Sequence, residues 1–152
     1  MVVQITDSEL KQTIASGILR SLPEWFGIPE ATHNYVEGCI GLPFWADATD
    51  GEYLGFITLK ETGKYTAEIY VMGVLPTYHR KGIGRRLFTV LYGYCREHGY
   101  EFLQVKTVDG GHYVEYDRTW QFYEHPGFKK FEVFPTLWDA WNPCLVMVMG
   151  VR

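Results

Sequence analysis

Residues 75–91 read LPTYHRKGIGRRLFTVL and set Arg80, Lys81, Arg85 and Arg86 around Gly82 and Gly84. They stand where an apolar-periodic helix begins, and no Ser, Thr, Asp or Asn close before Gly82 offers a cap for the free backbone N–H groups. A helix N-terminus carries partial positive charge, so cations there are misfits unless an anion accompanies them. Uncapped amides beside cations make an anion site, for phosphate above all, and glycines let the backbone approach the anion closely. The same residues also suit a tight turn with a solvated basic face. The dinucleotide fingerprint G-x-G-x-x-G fails because its third position is Leu87, and no P-loop pattern occurs, since no Gly-Lys is followed by Ser or Thr.

Glu68 is the second residue with chemical potential. It stands in an otherwise apolar run, TAEIYVMGVL, where an ionised carboxylate is costly unless solvated or paired. Period-two alternation puts it on one face with Tyr70, Met72 and Val74. Buried beside a cleft, it would titrate above the usual carboxylate range and could take a proton. Otherwise it is an exposed strand-start residue or half of a salt bridge. Gly73, inside the same run, marks either a bulge or a close-packed contact. Cys39, Cys95 and Cys144 are widely spaced and form no CxxC pair, so they read as reduced, buried thiols with no metal-site spacing. Cys144, beside Pro143, reads as packing rather than as a nucleophile. His33, His98, His112 and His125 have no Ser, Cys or acid partner at a readable spacing and read as surface or capping residues.

The elements that must hold these residues follow from periodicity and turn chemistry. The chain of 152 residues, 47% apolar and 16% aromatic, is expected to form one packed domain over 1–152. Its net charge of −4 speaks against a nucleic-acid binder. MVVQITDSEL lacks the basic and apolar regions of a signal peptide, and no run approaches the roughly 20 apolar residues of a membrane helix. A cytoplasmic protein is expected. Val2–Ile5 reads as a strand, with Asp7 or Ser8 then capping a helix on the stripe Leu10, Ile14, Ile18, Leu22. A weaker helix follows over Pro29–Cys39. Strands are expected at Leu42–Ala48 and Glu52–Lys60 around an Asp-Gly hairpin signal, and at Thr66–Leu75. A helix over Gly82–His98 buries Ile83, Leu87, Leu91 and Tyr94 and stops at Gly99. Phe102–Val108 reads as a strand buried on both faces, Tyr116–His125 as a helix, and Phe128–Phe134 and Cys144–Val151 as closing strands. The strand–helix–strand unit implies a parallel pair inside a mostly antiparallel sheet, an α+β or mixed α/β fold.

The run AEIYVMGVLPTYHRKGIGRRL resembles the acetyl-CoA-binding segment of the GNAT superfamily of N-acetyltransferases: a strand, a loop carrying Gln/Arg-x-x-Gly-x-Gly/Ala, and a helix. His79, Arg80, Lys81, Gly82, Ile83 and Gly84 fit that loop except that His79 replaces Gln or Arg. Downstream, WQFYEHPGFKKFE is similar to the family's FYxxxGF segment, and the order of elements follows the family fold over nearly the whole chain. The resemblance implies a splayed parallel pair of strands flanked by about four helices, with acetyl-CoA as co-substrate. It implies that backbone amides of Met72, Gly73 and Val74 meet the acetyl carbonyl and pantetheine arm. By the same resemblance the pyrophosphate is held by the loop from His79 to Arg85. Glu68 stands eleven residues before His79, the spacing of a catalytic glutamate in the histone-acetyltransferase branch. Tyr123 aligns with the tyrosine that protonates the leaving thiolate in several relatives; packing is its other reading. Tyr116 occupies the position of a cofactor-contacting Asn, a contact then lost or supplied by Asp117.

In the family the acceptor site is walled by the first helix–loop–helix and the loop between the last two strands. Here these are SLPEWFGIPEATHNY and EVFPTLWDAWNP, rich in aromatics and acids. Trp25, Phe26, Tyr35, Trp138 and Asp139 suit a cationic amine through cation–π contact and charge pairing. The tryptophans equally suit loop packing or a homodimer contact. The expected activity is transfer of an acetyl group to a primary amine of a small molecule. A protein lysine or N-terminal acetyltransferase, or an acyl-CoA-binding module without catalysis, fits the same motifs.

Overall fold

The structure is a computed structural model that describes residues 1–109, 114–139 and 141–152; the side chains at 114–117 and 120 lie outside that description. The readings made of His112, Tyr116 and Asp117 fall outside it too. Strand β1 (Val2–Gln4) leads to helix α1 (Ser8–Arg20), capped by Asp7, whose Oδ2 accepts the Leu10 N–H at 2.8 Å. Helix α2 (Pro29–Gly38) starts on proline, whose missing N–H costs nothing in a first turn. Strands β2 (Phe44–Thr49) and β3 (Glu52–Glu61) turn on Asp50 (φ 51°) and Gly51 (φ 79°), the paired left-handed residues of a tight hairpin. Strand β4 (Thr66–Val74), a 3-10 turn at Pro76–Tyr78, helix α3 (Ile83–Glu97) and strand β5 (Phe102–Val108) form the crossover unit. Helix α4 (Val114–Glu124) and strands β6 (Lys129–Asp139) and β7 (Asn142–Gly150) complete the chain.

The seven strands form one sheet in the order β1-β2-β3-β4-β5-β7-β6, antiparallel throughout except for β4 and β5. Helices α1 and α2 cover one face through Ile14, Ile18, Leu19 and Val36 against Phe44, Phe56 and Val71. Helix α3 covers the other through Ile83, Leu87 and Leu91 against Ile57, Ile69, Leu103 and Met147, with Tyr123 and Phe128 in the same cluster. Tyr94, expected in the buried stripe of α3, is only half-buried; Phe88 and Cys95 are buried instead. The expectation that β5 is buried on both faces holds only at its C-terminal end, where Thr107 and Val108 are both buried. Leu103 and Val105 are buried but Phe102 and Lys106 are exposed, because the cluster beneath α1 and α2 includes no residue of β5, β6 or β7.

Candidate active site

The pairing of β4 with β5 runs from Thr66–Phe102 to Ile69–Val105 and stops there. Tyr70–Val74 continue beside β3 alone, so the sheet opens between β4 and β5 toward the C-terminal ends of both strands. A β-bulge accompanies the opening. Between Ile57–Met72 and Leu59–Ile69, the two residues Tyr70 and Val71 face the single residue Thr58. The Thr58 hydroxyl donates to the Val71 carbonyl at 2.9 Å and accepts its N–H at 3.1 Å, so a side chain replaces the broken ladder. The bulge also shifts the alternation of β4. Ala67, Ile69, Met72 and Val74 pack on the α3 side, whereas Tyr70 and Val71 pack on the α1 side. Glu68 therefore shares its face with Tyr70 but not with Met72 and Val74, correcting the alternation read from sequence. Gly73 is not the bulge residue. A side chain there would come within 3.0 Å of Ile18 Cγ2 and 3.1 Å of Leu22 Cδ1, so glycine lets α1 lie close on β4.

Beyond β4, Arg80 (φ 63°) and Gly82 (φ 83°) both take the left-handed conformation. Gly82 is the N-cap of α3 and no side chain caps that end. Left-handed residues interleaved with ordinary ones turn successive amides toward a common concavity, the backbone arrangement that binds anions. Left-handed arginine carries strain of about 1 kcal/mol or more, which a bound anion would offset. The His79 Nε2–H donates to the Val74 carbonyl at 2.7 Å, fixing its tautomer and tying the loop to the free part of β4. Trp25 packs edge-on against His79, ring centres 5.9 Å apart, and its indole N–H donates to Thr119 of α4 at 3.2 Å. Gly84 leaves room for a neighbouring ring: a side chain there would come within 3.0 Å of Phe122 Cε2, with Met72 Cε at 3.7 Å. Phe122 thus wedges between the start of α3 and the open strand, a role absent from the sequence reading although FY is part of the motif.

One of the four cations is diverted. Arg86 donates through Nε (3.0 Å) and pairs through Nη2 (2.9 Å) with Asp47, whose carboxylate is fully buried on β2. The expectation that all four cations face an anion therefore holds at most for Arg80, Lys81 and Arg85, because a buried carboxylate demands a cation. This gives a crossed test. Arg86→Ala should lower stability by about 1.5–3 kcal/mol, since Asp47 keeps only weaker partners, yet leave the rise in melting temperature caused by acetyl-CoA unchanged. Arg85→Glu should do the reverse. Differential scanning fluorimetry of both variants, with and without acetyl-CoA, reads the two effects.

The uncapped, cation-rich helix start and the free strand edge together fit a diphosphate carrying a long acylated arm. Arg80, Lys81, Arg85 and the amides around Gly82 would hold the diphosphate, and Met72–Val74 the arm.

Glu68 lies just inside the opening and is 5% exposed. Its Oε1 sits 3.3 Å from Lys106 Nζ and accepts from Gln104 Nε2 at 3.1 Å, both on β5. A buried carboxylate is tolerable here because it is paired and hydrogen-bonded. Beside it Tyr70, Tyr35 and Phe26 form an aromatic chain, with ring centres 5.6 Å and 5.9 Å apart, and Lys60 Nζ lies 5.5 Å over the Tyr70 ring. Gly38 makes this possible, because a side chain there would collide with the Tyr70 phenol. Burial first, then Cys39 and Glu68, raises the Tyr70 phenol above its usual range. Tyr70 was not among the residues read as wall-forming, though its place two residues from Glu68 was the available signal.

Tyr123 is on the opposite face, 5% exposed, with Phe122 and Phe128 edge-on at 5.3 Å and 5.5 Å. Burial holds its phenol in the protonated form well beyond the ordinary tyrosine range. Trp138 and Asp139 lie at the end of the β6–β7 hairpin, beyond the C-terminal end of β5. Asp139 Oδ1 accepts from the backbone N–H groups of Trp141 and Asn142, both at 2.9 Å, and so closes that turn. The thiols are buried: Cys39 is pushed up to about 12 and Cys95 to about 11 by burial. Burial also raises Cys144, against the opposing effect of Lys106. None is a ready nucleophile. Among the described residues no group of three or more His, Cys, Asp or Glu could hold a metal ion, and no helix is long and apolar enough to cross a membrane.

Comparison with known proteins agrees with this geometry. The family model described as the acetyltransferase (GNAT) family matches residues 15–128. No curated protein sequence matches the chain. Among solved structures, a GNAT-family protein from Desulfovibrio desulfuricans superposes with a TM-score of 0.83 at 19% identity, covering 100% of both chains. An aminoglycoside 6′-N-acetyltransferase complexed with coenzyme A gives 0.80 at 20% identity, covering 100% of this chain and 97% of that one. The ribosomal-protein-S18-alanine N-acetyltransferase of Escherichia coli gives 0.76 at 16% identity, covering 100% and 95%. The chain belongs to the acetyltransferase (GNAT) family, and is an acyltransferase whose co-substrate is acetyl-CoA.

Proposed function

We propose that this chain moves the acetyl group of acetyl-CoA to a primary amine of a small cationic molecule, by direct attack within a ternary complex. The co-substrate supplies an activated thioester. The chain must then take a proton from the ammonium, give a hydrogen bond to the carbonyl oxygen as charge develops there, and give a proton to the departing sulfur. Glu68 is the proton acceptor, held in place by Lys106 and Gln104. Amides of Met72–Val74, freed from β5, supply the donors to the carbonyl. Tyr123 is the proton donor. The observation that carries this reading is that the β4–β5 ladder ends one residue beyond Glu68, at Ile69–Val105, and leaves the backbone of Tyr70–Val74 open next to that buried carboxylate, while Tyr123 lies on the other face of the sheet. A base on the amine side and an acid on the sulfur side is what single-step transfer requires.

Trp25, Phe26 and Tyr35, with Tyr70 added, form the acceptor wall in this reading. Aromatic faces with a carboxylate behind them attract an ammonium group. One structural neighbour acts on aminoglycosides, which are small polycations, and that likeness supports a small acceptor. Three buried free thiols suit a reducing compartment, and we assign the chain to the cytoplasm. Release of free thiol from acetyl-CoA, measured with polyamines, aminoglycosides and peptides bearing a lysine or a free α-amino group, tests the proposal. Turnover with the small cationic amines is expected. Turnover confined to the peptides would overturn the small-molecule assignment. No release with any amine, despite thermal stabilisation by acetyl-CoA, would point to a binding module.

A further inference from the structure

The ladder between β4 and β5 ends at Ile69–Val105, so Tyr70 and Lys106 are the first residues past it, one on each side of the opening. Val105 is buried on the α3 side, and alternation sends Lys106 to the other face, where Glu68 and Tyr70 stand. Its Nζ lies 3.3 Å from Glu68 Oε1, and its side chain is 37% exposed while Glu68 is buried. A lysine amine thus sits where the proposed function puts the acceptor ammonium. The backbone of Met72–Val74, to which that function gives the thioester carbonyl, begins two residues beyond Tyr70 on the facing strand. Lysine chemistry elsewhere in the chain is different. Lys60 is the cross-strand neighbour of Glu68, but its Nζ lies 5.5 Å over the Tyr70 ring. Lys11 is buried and donates to the carbonyls of Ile40 and Leu42 at 2.9 Å and 2.8 Å. Lys64 lies over Tyr65 at 5.3 Å, by the closed end of the ladder.

We propose that Lys106 is a self-acetylation site: given acetyl-CoA and no acceptor, the chain transfers one acetyl group to its own Lys106. The inference rests on the reading of Glu68 as the base. Glu68 takes one proton from the Lys106 ammonium, and the freed Nζ lone pair attacks the thioester carbonyl. The C–N bond forms, the C–S bond breaks, and the departing sulfur receives a proton from Tyr123. The second nitrogen proton, released as the amide forms, passes through solvent to restore Tyr123, and Glu68 gives its proton to solvent. The products are an acetylated lysine, the free thiol of CoA and one proton. Because the nucleophile is part of the chain, the reaction is unimolecular once the co-substrate is bound, and positioning lowers its barrier. The amide is neutral, so transfer also removes the cation paired with Glu68.

Incubating the full wild-type chain with acetyl-CoA and no added amine, followed by intact-mass spectrometry and peptide mapping, tests the site. One acetyl group per chain is expected, on Lys106, with an equal release of free thiol and a rate constant independent of protein concentration. Lys106→Arg keeps a cation beside Glu68 but offers no acetyl acceptor, so it should release no thiol under these conditions. Glu68→Gln should slow the transfer about 10²-fold or more. Transfer to Lys106 at the wild-type rate in Glu68→Gln would overturn the part given to the carboxylate. Acetyl groups spread at similar rates over Lys60, Lys64, Lys129 and Lys130 would mark uncatalysed reaction with the thioester and overturn the site. An unmodified Lys106 in a preparation that acetylates an amine of the panel above would overturn self-acetylation and leave the proposed function standing. An unmodified Lys106 in a preparation inert toward every amine of that panel would overturn both.

Discussion

Glu68→Gln is expected to lower kcat about 10²–10⁴-fold, the usual scale for removing a general base, with little change in the stabilisation that acetyl-CoA confers. The substitution keeps the size of the side chain and an oxygen that can accept from Gln104, and it deletes the charge and the basicity. Loss of the ion pair with Lys106 should lower stability only modestly, because Lys106 is 37% exposed and water can take over its solvation. A purely structural Glu68 predicts a different pattern: lower stability, and turnover near normal at a permissive temperature. Lys106→Met separates the two further. It removes the ion pair and leaves the carboxylate, so it should cost stability and retain most of the rate if proton transfer is the function of Glu68. Wild-type turnover in Glu68→Gln would sink the assignment.

What was legible in the sequence divides by distance along the chain. The β2–β3 hairpin could be read from Asp50-Gly51, because the turn depends on two adjacent residues that tolerate positive φ. The parallel pair could be read from the strand–helix–strand pattern, since only a crossover of that length brings β5 alongside β4 in the same direction. The uncapped start of α3 could be read because capping is local. The details that shape the site are set by distant partners. Thr58, thirteen residues from Val71, fixes the bulge that turns Met72 and Val74 away from the face of Glu68. Asp47, 39 residues from Arg86, withdraws one cation from the loop. Thr119, 94 residues from Trp25, holds the indole between α4 and His79. In one dimension Gly84 looked like a backbone device, and Gly73 like either a bulge or a close-packed contact. Each leaves room for a neighbour, α1 for Gly73 and Phe122 for Gly84, and only the packed chain reveals which neighbour that is.

Tyr123→Phe should separate the chemical role of a hydroxyl from the packing role of a ring. The ring lies among Phe122, Phe128 and the α3-side core, and phenylalanine fills the same space in the same cluster. Stability near neutral pH and affinity for acetyl-CoA should therefore stay close to wild type, while kcat falls about 10²-fold or more as the departing sulfur loses its proton source. The pH dependence sharpens the test. Burial raises the phenol above the value of about 10 that it has in an unfolded chain. The folded protein thus keeps a proton that the unfolded chain gives up, and the stability linked to this group is full below about pH 10 and is lost as pH rises further through the folded value. The wild type should lose stability above about pH 10 more steeply than Tyr123→Phe, since ionising the buried phenol favours the unfolded chain. For the same reason the phenol stays protonated throughout the ordinary alkaline range, and a basic limb set by it in the kcat profile would lie above that of a free phenol. Tyr100, raised to about 12, and Tyr70, also raised, titrate in both proteins, so the difference between the two melting curves reports Tyr123 alone. Normal turnover in Tyr123→Phe with a saturating amine would make the residue structural and leave protonation of the sulfur to water or another group. Reduced turnover with unchanged melting near neutral pH, and a gentler alkaline loss of stability, would fix the phenol as the acid of the reaction.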